Sequence, residues 1–453
     1  MRQFVIRAAA KAFNSTILDA YNTLTKYEYL PQAELRVIQQ NKLQELLRHS
    51  YLQIPYYSEI FNSLGISNIR EICSDTLASL PILTKEHLRL HCDTLVDTAG
   101  QRVRGGYVNS SGGSTGEPVT ILQDKHYTAW NIATTQYMKT SFGGQKLGDP
   151  EVRLWGALRD LKGQRNLKSW LQNWIYNRTD LNSYKMTQEK LEKYAGSINT
   201  IKPSWIEGYA HSLYELAQYT NAHNLKMHSP KGVLTSAGIL HPFVRNLLVS
   251  TFRCSVYNRY GSREVGGIAC ECDKMQGMHQ MMLNSVIEVV DSQGKHVPAG
   301  EPGRVLITTL NNYTMPLIRY DIGDVAAISQ NQTCPCGRGW LLIDNIVGRE
   351  NALLRTRSGE IIDGGLITQH LYHKKWCKQF QVVQETYDYI KIYIVVNAGS
   401  TDLYHVEKVE FLQSIRGLLK GIPHVEVVQV NVIEPMQNGK RAYIISKIET
   451  PYS

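Results

Sequence analysis

Residues 190–260 alternate helical windows with short β-rich runs, and this alternation constrains the fold more than any other feature of the sequence. In each helical window the apolar residues recur at a spacing close to one helical face. The helical windows are 190–201, 211–223 and 241–252, and the β-rich runs that follow them are 203–208, 231–238 and 254–260. Alternation of this kind is typical of α/β architecture.

The flanking segments have different patterns. Residues 1–95 are predicted to be mainly helical, and Thr84 is suited to cap one of these helices. The region 285–330 is β-rich, and a separate β/α segment follows Gly348. The strands predicted in these two regions are 286–290, 304–309, 325–328, 390–396 and 425–432. We therefore predict two domains, residues 1–347 and residues 348–453.

Composition excludes several classes of protein. A chain of 453 residues with 26 tyrosines and 20% charged residues is expected to fold rather than to be disordered. No stretch approaches the ~20 apolar residues that span a bilayer, and the first apolar runs are too short for a secretory signal, so we expect a cytoplasmic protein. The net charge of +9 suits phosphate-rich substrates or an anionic membrane surface, which leaves peripheral membrane association open and requires no nucleic acid.

A loop rich in glycine and hydroxyl groups occupies residues 109–118, before a short strand predicted at 119–122. Glycines let backbone N–H groups turn towards an anion, and small hydroxyl side chains add further donors. The loop lacks the Gly-Lys-Ser/Thr ending of a Walker A loop, and an ordinary surface turn has a similar composition. The candidate anion-binding residues are Ser111, Gly112, Gly113, Ser114, Thr115 and Gly116.

A second segment, residues 257–264, stands at the end of a predicted strand. Tyr260 can stack on a planar base, and the Glu264 carboxylate can hold Mg²⁺. A strand-end turn with a core tyrosine and a surface glutamate would have the same sequence.

Three later segments complete the set of candidate motifs. Residues 319–324 place two carboxylates beside a glycine, where a carboxylate can accept the hydroxyls of a ribose. Arg349 and Lys440 each follow a glycine and can reach phosphate or carboxylate oxygens. A tight turn or a surface cation would explain each of these segments equally well.

The order of these five segments resembles that of the adenylate-forming enzymes, the superfamily of the acyl-coenzyme A synthetases. Within it the chain is most similar to phenylacetate–coenzyme A ligases and to the CapK-like proteins of capsular polysaccharide clusters. The similarity covers nearly the whole chain, from residues 40–47 through 208–213 to Lys440. It implies a large multi-sheet α/β N-terminal domain and a small, mobile α+β C-terminal lid domain that carries the catalytic lysine.

The resemblance implies an ATP-dependent ligase that activates a carboxylic acid as acyl-AMP and transfers the acyl group, by default to the thiol of CoA. Lys440 would bridge the substrate carboxylate and the α-phosphate, and Glu264 would bind Mg²⁺. The residues that would hold the nucleotide are Ser111, Gly112, Gly113, Ser114, Thr115, Gly116, Ser236, Ala237, Gly238, Asn258, Tyr260, Gly261, Ser262, Asp324 and Arg349.

The sequence departs from the family pattern at three places. Glu117 stands where relatives commonly have lysine, and Gly238 stands where they commonly have glutamate. Asn351 and Ala352 replace acidic hinge residues, so a carrier-protein thiol or an amine remains an alternative acceptor to CoA. The acyl pocket is expected to use aromatic residues between the nucleotide motifs, namely Trp130, Tyr137, Trp155 and Tyr209.

Four of the eight cysteines form two close pairs in the sequence, 270/272 and 334/336. Three thiolates with one imidazole match a closed, tetrahedral zinc site. Relatives commonly have such a set, so the resemblance implies structural Zn²⁺ within a ribbon-like insertion at about 270–340. The implied ligands are Cys272, His279, Cys334 and Cys336, with Cys270 as the competitor of His279. Reduced thiols without a metal are the alternative.

Two functions of other classes also fit parts of the sequence. A zinc-containing nucleic-acid-binding protein would share the cysteines and the basic charge, but no basic stripe with interleaved aromatic residues accompanies them. A nucleotide-binding scaffold without activity would explain the departures at Glu117 and Gly238. Exchange of pyrophosphate into ATP would distinguish that scaffold from a ligase.

Overall fold

A computed structural model gives the structure of the chain. It describes residues 6, 8, 16–97, 99–100, 105–110, 119–155, 167–183, 186–349, 354–358, 361–362, 367, 371, 374–419, 422–434 and 442–448. None of the helices in these ranges is long and apolar enough to cross a membrane.

Helices dominate the first part of the chain, as predicted. They are α1 (Thr16–Tyr27), α2 (Gln32–Gln53), α3 (Pro55–Ser63) and α4 (Lys85–Leu90), with short 3-10 turns at Ile69–Glu71 and Ser74–Ser79. The predicted cap of α4 is confirmed, because the Thr84 hydroxyl accepts a hydrogen bond from the backbone N–H of His87. Helix α2 buries Leu35, Leu43 and Leu46 on one side, which is the face that its apolar spacing predicts.

A two-stranded hairpin follows, formed by β1 (Tyr107–Ser110) and β2 (Thr120–Gln123). Helix α5 (Lys125–Tyr137) begins directly after it, because the Asp124 carboxylate accepts the N–H of Tyr127 at the first turn. A π-helical turn, Met138–Phe142, continues α5.

An eleven-stranded mixed sheet forms the centre of the molecule, in the order β10-β11-β12-β13-β9-β8-β7-β6-β5-β3-β4. Its parallel half alternates strands with helices, which confirms the α/β prediction. The elements of this half are β3 (Glu151–Trp155), α6 (Leu167–Tyr176), β4 (Arg178–Asn182), α7 (Gln188–Ile201), β5 (Trp205–Tyr209), α8 (Ala210–Ala222), β6 (Gly232–Ser236), α9 (Pro242–Phe252) and β7 (Ser255–Ser262).

The other half of the sheet is antiparallel and begins where β8 pairs with β7. Its strands are β8 (Gly266–Glu271), β9 (Met278–Gln280), β10 (Ser285–Val290), β11 (Gly303–Thr309), β12 (Tyr320–Ile328) and β13 (Leu342–Arg349). Strand β12 starts five residues earlier than the predicted 325–328. Residues 320–324, for which a tight turn was the alternative interpretation, are therefore strand, with an irregularity at Gly323, whose φ is 76°.

A second, four-stranded sheet in the order β18-β17-β16-β19 follows a short hairpin. The elements are β14 (Leu354–Arg355), β15 (Ile361–Ile362), β16 (Cys377–Thr386), β17 (Tyr389–Val396), α10 (Thr401–Leu418), β18 (His424–Gln429) and β19 (Ile444–Ser446). Its core runs from Leu354 to Ile422 and contains no residue of the first sheet among those described. The boundary between residues 347 and 348 stays a prediction.

Candidate functional site

The carboxyl ends of the parallel strands form the edge on which most of the predicted site residues lie. Strands β5, β6 and β7 place Tyr209 opposite Ser236 and Ser236 opposite Arg259, and β3 ends beside them at Trp155. In open parallel sheets this edge is where ligands bind. Ala237 and Gly238 come directly after Ser236 and therefore lie at this edge, which we call the ligand-binding edge.

The turn after β6 has a specific backbone shape. Ala237 has a φ of 61°, in the left-handed region that only a few non-glycine residues adopt. At Gly238 an added Cβ would lie 3.7 Å from the Cβ of Ala210, an ordinary contact, so packing alone does not require glycine there. Asn258, one strand away, is anchored through its backbone N–H, which donates to Glu271 Oε2 at 2.7 Å.

Tyr260 and Asp324 meet although they are 64 residues apart in the chain. The Tyr260 hydroxyl donates to Asp324 Oδ2 at 2.8 Å, and both side chains are mostly buried. Arg349 lies opposite Asp324 in the pairing of β12 with β13. Tyr260 and Asp324, predicted to contact the base and the ribose, thus meet although three strands, β8, β9 and β13, lie between β7 and β12 in the sheet order.

The turn after β7 holds Glu264 in a tight, hydrogen-bonded loop. Ser262 Oγ accepts the backbone N–H groups of Glu264 at 3.2 Å and of Val265 at 3.3 Å. Gly261 leaves no room for a side chain, because a Cβ would lie 2.5 Å from the carbonyl oxygen of Gly266. Local geometry therefore explains Gly261 and Ser262. Glu264 lies at the same edge and is 8% exposed.

The β1–β2 hairpin is fastened to this turn. Asn109 Nδ2 and Gln123 Nε2 both donate to the carbonyl oxygen of Arg263, at 3.0 Å and 2.9 Å. Gln123 also donates to the carbonyl of Glu264 at 3.0 Å. The strands that flank the glycine- and hydroxyl-rich loop are thus held beside Glu264. The candidate loop residues Ser111, Gly112, Gly113, Ser114, Thr115 and Gly116 lie outside the described residues.

Lys440 also lies outside the described residues, but the chain that follows it is placed. Ala442 and Tyr443 line a cleft together with Tyr214 and Glu215 of α8. Because α8 begins directly after Tyr209, the segment after Lys440 packs against a helix that starts at the ligand-binding edge.

The four predicted zinc ligands come together. The ligand atoms of Cys272, His279, Cys334 and Cys336 all lie within 4.8 Å of one another. The Sγ atoms of Cys272 and Cys334 are 3.6 Å apart, and Cys336 Sγ is 3.3 Å from His279 Nε2. Cys270 is outside this group and donates instead to the carbonyl of Glu271 at 3.4 Å.

This cluster fits a zinc ion by distance and by chemistry. With zinc–sulfur bonds of about 2.3 Å, the edges of a tetrahedron are about 3.8 Å long, close to the observed separations. Burial lowers the pKa of His279 to about 4, so its imidazole is neutral and offers a lone pair to a metal. Burial also raises the pKa of the Cys272 thiol to about 12, so that a metal would have to displace its proton.

The four aromatic residues predicted for the acyl pocket occupy two regions. Trp155 and Tyr209 pack together at the strand edge, with ring centroids 4.3 Å apart. Tyr137 is fully buried, donates to Glu28 Oε2 at 3.0 Å and accepts from Trp340 Nε1 at 2.8 Å. Trp130 packs in the same apolar cluster as Tyr137, with the Lys42 ammonium 4.0 Å from its ring centroid.

Sequence reasoning missed a cluster of buried ion pairs on the sheet face beneath this edge. Lys139 Nζ donates to Glu151 at 2.8 Å and to Glu207 at 2.6 Å. Arg178 pairs with Glu151 and Arg259 pairs with Glu207, each at 3.0 Å. We call these five residues the charged cluster. Its signal in the sequence is the charge within two strand runs, Glu151 and Arg153 in 151–155 and Glu207 in 205–209, where a buried parallel strand is ordinarily all apolar.

The charges of this cluster are fixed by mutual attraction. Burial raises the pKa of Glu207, but Lys139 and Arg259 outweigh it and hold that pKa well below its usual range. The pKa of Glu151 is likewise lowered, because Lys139 and Arg178 outweigh the effect of burial. Both carboxylates are therefore ionised at neutral pH.

Arg319, the first residue of the Tyr-Asp motif, is a structural clamp. Its guanidinium pairs with Glu288 at 3.1 Å and donates to the carbonyl oxygens of Ala78, Leu80 and Gly294 at 3.2, 2.7 and 2.9 Å. It thereby ties the N-terminal helical segment and the β10–β11 connection to the start of β12.

Comparisons with known proteins identify relatives of the chain and of its fold. No family model matches the chain. It is 23% identical over 418 residues to Protein CapK of Staphylococcus aureus, covering 92% of this chain and 90% of CapK. It is 24% identical over 344 residues to the phenylacetate–coenzyme A ligase of Thermus thermophilus, covering 73% and 74% of the two chains. A 2-hydroxyisobutyryl-CoA ligase, solved in its postadenylation state, matches with a TM-score of 0.73 at 18% identity, over 93% of this chain and 91% of that one.

The chain therefore has the mixed α/β fold of the adenylate-forming superfamily, which the order of its motifs predicted. Its homologues are CapK and the phenylacetate–coenzyme A ligases, and the resemblance stated from the sequence is confirmed.

Proposed function

We propose that the chain is an AMP-forming ligase that activates a carboxylic acid with ATP. The observation that carries this proposal is the contact between Tyr260 and Asp324, since it joins two distant motifs at the edge that also holds Ser236 and Glu264. The homology to phenylacetate–coenzyme A ligases supports the same activity. A shared fold alone would not support this activity, because one fold can host several functions.

The reaction has two balanced steps. A carboxylate oxygen of the acid attacks the α-phosphorus of ATP, the bond to the β-phosphate breaks, and pyrophosphate leaves. An acceptor then attacks the acyl carbon and loses its proton, and AMP leaves. CoA is the default acceptor, and a carrier-protein thiol or an amine in polysaccharide modification is the alternative.

The residues of the chain would contribute position and charge rather than a covalent intermediate. Tyr260 would stack on the adenine, while Asp324 and Arg349 would bind the ribose hydroxyls. Lys440 would offset the charge that develops as the carboxylate approaches the α-phosphate. Mg²⁺, for which Glu264 is the proposed ligand, would neutralise phosphate charge when bound. The 348–453 segment would act as the lid that delivers Lys440.

The test is ATP–pyrophosphate exchange over a panel of carboxylic acids, with and without CoA. We expect acid-dependent exchange, and we expect Lys440→Ala to abolish it while capture of a supplied acyl-adenylate persists. Lys447→Ala is the matched control, because Lys447 is an exposed lysine nearby that pairs with Glu385. The proposal would be contradicted if none of the acids supported exchange. Equal loss of both half-reactions in Lys440→Ala would contradict the role of Lys440.

We also propose that Cys272, His279, Cys334 and Cys336 hold a structural zinc ion, supported by their distances and donor chemistry. We expect about one zinc per chain by elemental analysis, and loss of that zinc in Cys334→Ser. Cys92→Ser is the control, because Cys92 is exposed and outside the cluster. Chain purified without zinc but with an unchanged melting temperature would refute the assignment.

Peripheral membrane contact is proposed for α6, which exposes Trp170 and Trp174 by 62% and 51% one turn apart. The helix has one lysine and no acidic residue, and amphipathic helices with exposed tryptophans bind anionic lipid surfaces. We expect Trp170→Ser/Trp174→Ser to abolish sedimentation with phosphatidylglycerol vesicles, while Val406→Ser/Val409→Ser on α10 leaves it unchanged. Absence of vesicle binding by the unmodified chain at low salt would contradict this.

A further inference from the structure

The charged cluster has an imbalance of charge. Its three cations, Lys139, Arg178 and Arg259, face two carboxylates, Glu151 and Glu207, so one positive charge remains (3 − 2 = 1). The neighbouring pair of Arg153 and Asp180 is balanced and leaves the excess unchanged. Among the residues that the structure describes, no other carboxylate forms an ion pair with these cations, and Asp180, which also attracts Arg178, is already paired with Arg153. A buried excess charge is costly unless a partner compensates it.

Arg259 is the cation of this cluster that stands at the ligand-binding edge. Lys139 is only 1% exposed beneath the sheet, and Arg178 is the first residue of β4, at the opposite end of the parallel strands. The Arg259 guanidinium lies 5.7 Å from the ring centroid of Trp155, which packs against Tyr209. The side chain is 13% exposed, so a bound molecule can reach it.

Arg259 and Tyr260 point to opposite faces of β7, because successive side chains of a strand alternate. Tyr260 reaches Asp324, the proposed ribose residue, whereas Arg259 reaches Glu207 and Trp155. The nucleotide side and the Arg259 side are therefore adjacent along the chain but separate in space. A molecule that passes over this edge from the Tyr260 side would meet Arg259 on the other face of the strand.

We propose that Arg259, with Trp155 and Tyr209, receives the far end of the acid, and that this acid carries a second carboxylate. The inference rests on the proposed function, because the acid is the molecule that meets the nucleotide at this edge. A carboxylate fits the guanidinium geometry and supplies the negative charge that the charged cluster lacks. The packed rings of Trp155 and Tyr209 would offer an apolar surface to the short carbon chain between the two carboxylates.

The test compares dicarboxylic acids with their monomethyl esters, which keep the length but lose one charge. Malonate, succinate, glutarate and adipate are assayed in ATP–pyrophosphate exchange and for the shift in melting temperature that they cause. We expect at least one diacid to exceed its ester in kcat/KM by about tenfold or more, as for a charged hydrogen bond. We expect Arg259→Leu to remove this preference while exchange with the ester persists, and Arg259→Lys to restore part of it.

Arg153→Gln/Asp180→Asn is the matched control, since it removes the neighbouring balanced pair of the same sheet face and leaves the excess charge of the cluster unchanged. It should keep the preference for the diacid. Equal use of diacids and esters by the unmodified chain, or an unchanged preference in Arg259→Leu, would overturn the inference. An increased KM for ATP in Arg259→Leu, with the preference retained, would assign the arginine to the nucleotide and overturn it as well.

The melting-temperature arm separates this inference from the proposed function. If no acid supports exchange, the proposed function fails, but a diacid that stabilises the unmodified chain and not Arg259→Leu still supports the binding site. If exchange occurs only with acids that lack a second carboxylate, the proposed function stands and this inference fails.

Discussion

Arg319→Met is expected to destabilise the fold strongly. The loss in free energy of unfolding can be worked out from the contacts that the Arg319 guanidinium makes. Loss of the guanidinium leaves Glu288, only 3% exposed, with the exposed His296 imidazole at 3.7 Å as its remaining ion-pair partner among the described residues, which costs about 3 kcal/mol, the low end for a broken buried pair. The carbonyl oxygens of Ala78, Leu80 and Gly294 each lose a charged donor, at about 1 kcal/mol apiece where water cannot replace it. Together these losses come to about 6 kcal/mol, which is a large part of the stability of a typical domain.

The assay is differential scanning fluorimetry, in which we expect a decrease of about 10 °C in melting temperature. Arg319→Met/Glu288→Met is the matched double variant, and it should recover at least half of the loss because it removes both buried charges. In the single variant, burial raises the pKa of Glu288 without a guanidinium to oppose it. Protonation then relieves the unpaired charge, so the variant should be less destabilised at pH 5 than at pH 7.5.

A decrease below about 2 °C would refute the reasoning, because it would mean that water or another cation satisfies Glu288 and the three carbonyls. A double variant as unstable as the single one would show that the loss comes from packing rather than from charge.

Three further outcomes are expected. Tyr260→Phe removes the hydrogen bond to Asp324 and should increase KM for ATP about tenfold in pyrophosphate exchange, with little change in melting temperature; an unchanged KM would separate this contact from nucleotide binding. Burial lowers the pKa of Lys42 to about 8, so this lysine alone makes the free energy of unfolding rise between about pH 8 and 10.5; the free energy of unfolding of the unmodified chain minus that of Lys42→Met, measured in urea, should rise across that window by up to about 3 kcal/mol, because buried tyrosines and cysteines act equally on both. Gly339→Ala places a Cβ 1.9 Å from the carbonyl oxygen of Leu30 and should decrease the melting temperature by several degrees, whereas Gly196→Ala, with open space around it, should not.

Much of the fold follows from local sequence pattern. The helices at 190–201 and 241–252 could be predicted because the spacing of apolar residues is a local property of the sequence. The structure has these helices at Gln188–Ile201 and Pro242–Phe252. The start of β12 was missed because the glycine and carboxylates of residues 320–324 have the composition of a turn. There, long-range pairing with β11 and β13 overrides local preference.

The candidate site divides in the same way. The cysteine and histidine set was predicted because its residue types are zinc ligands and the resemblance to related ligases implied which four of them would meet. The charged cluster was not, since Lys139 and Glu207 are 68 residues apart and only the sheet register brings them together. The role of Arg319 was likewise hidden, because its partners are three carbonyl oxygens, which no residue type reveals.

The narrowest seam of the large sheet lies where β13 meets β9, at only two residue pairs, Leu342 with His279 and Ile343 with Met278. Tyr260 lies on one side of this seam and Asp324 on the other. The four clustered ligands straddle it, with Cys272 before β9, His279 within it, and the remaining two cysteines before β13. An ion bound there would hold the two halves of the sheet together where their pairing is shortest. Its removal would let Tyr260 and Asp324, the residues proposed for the base and the ribose, move apart.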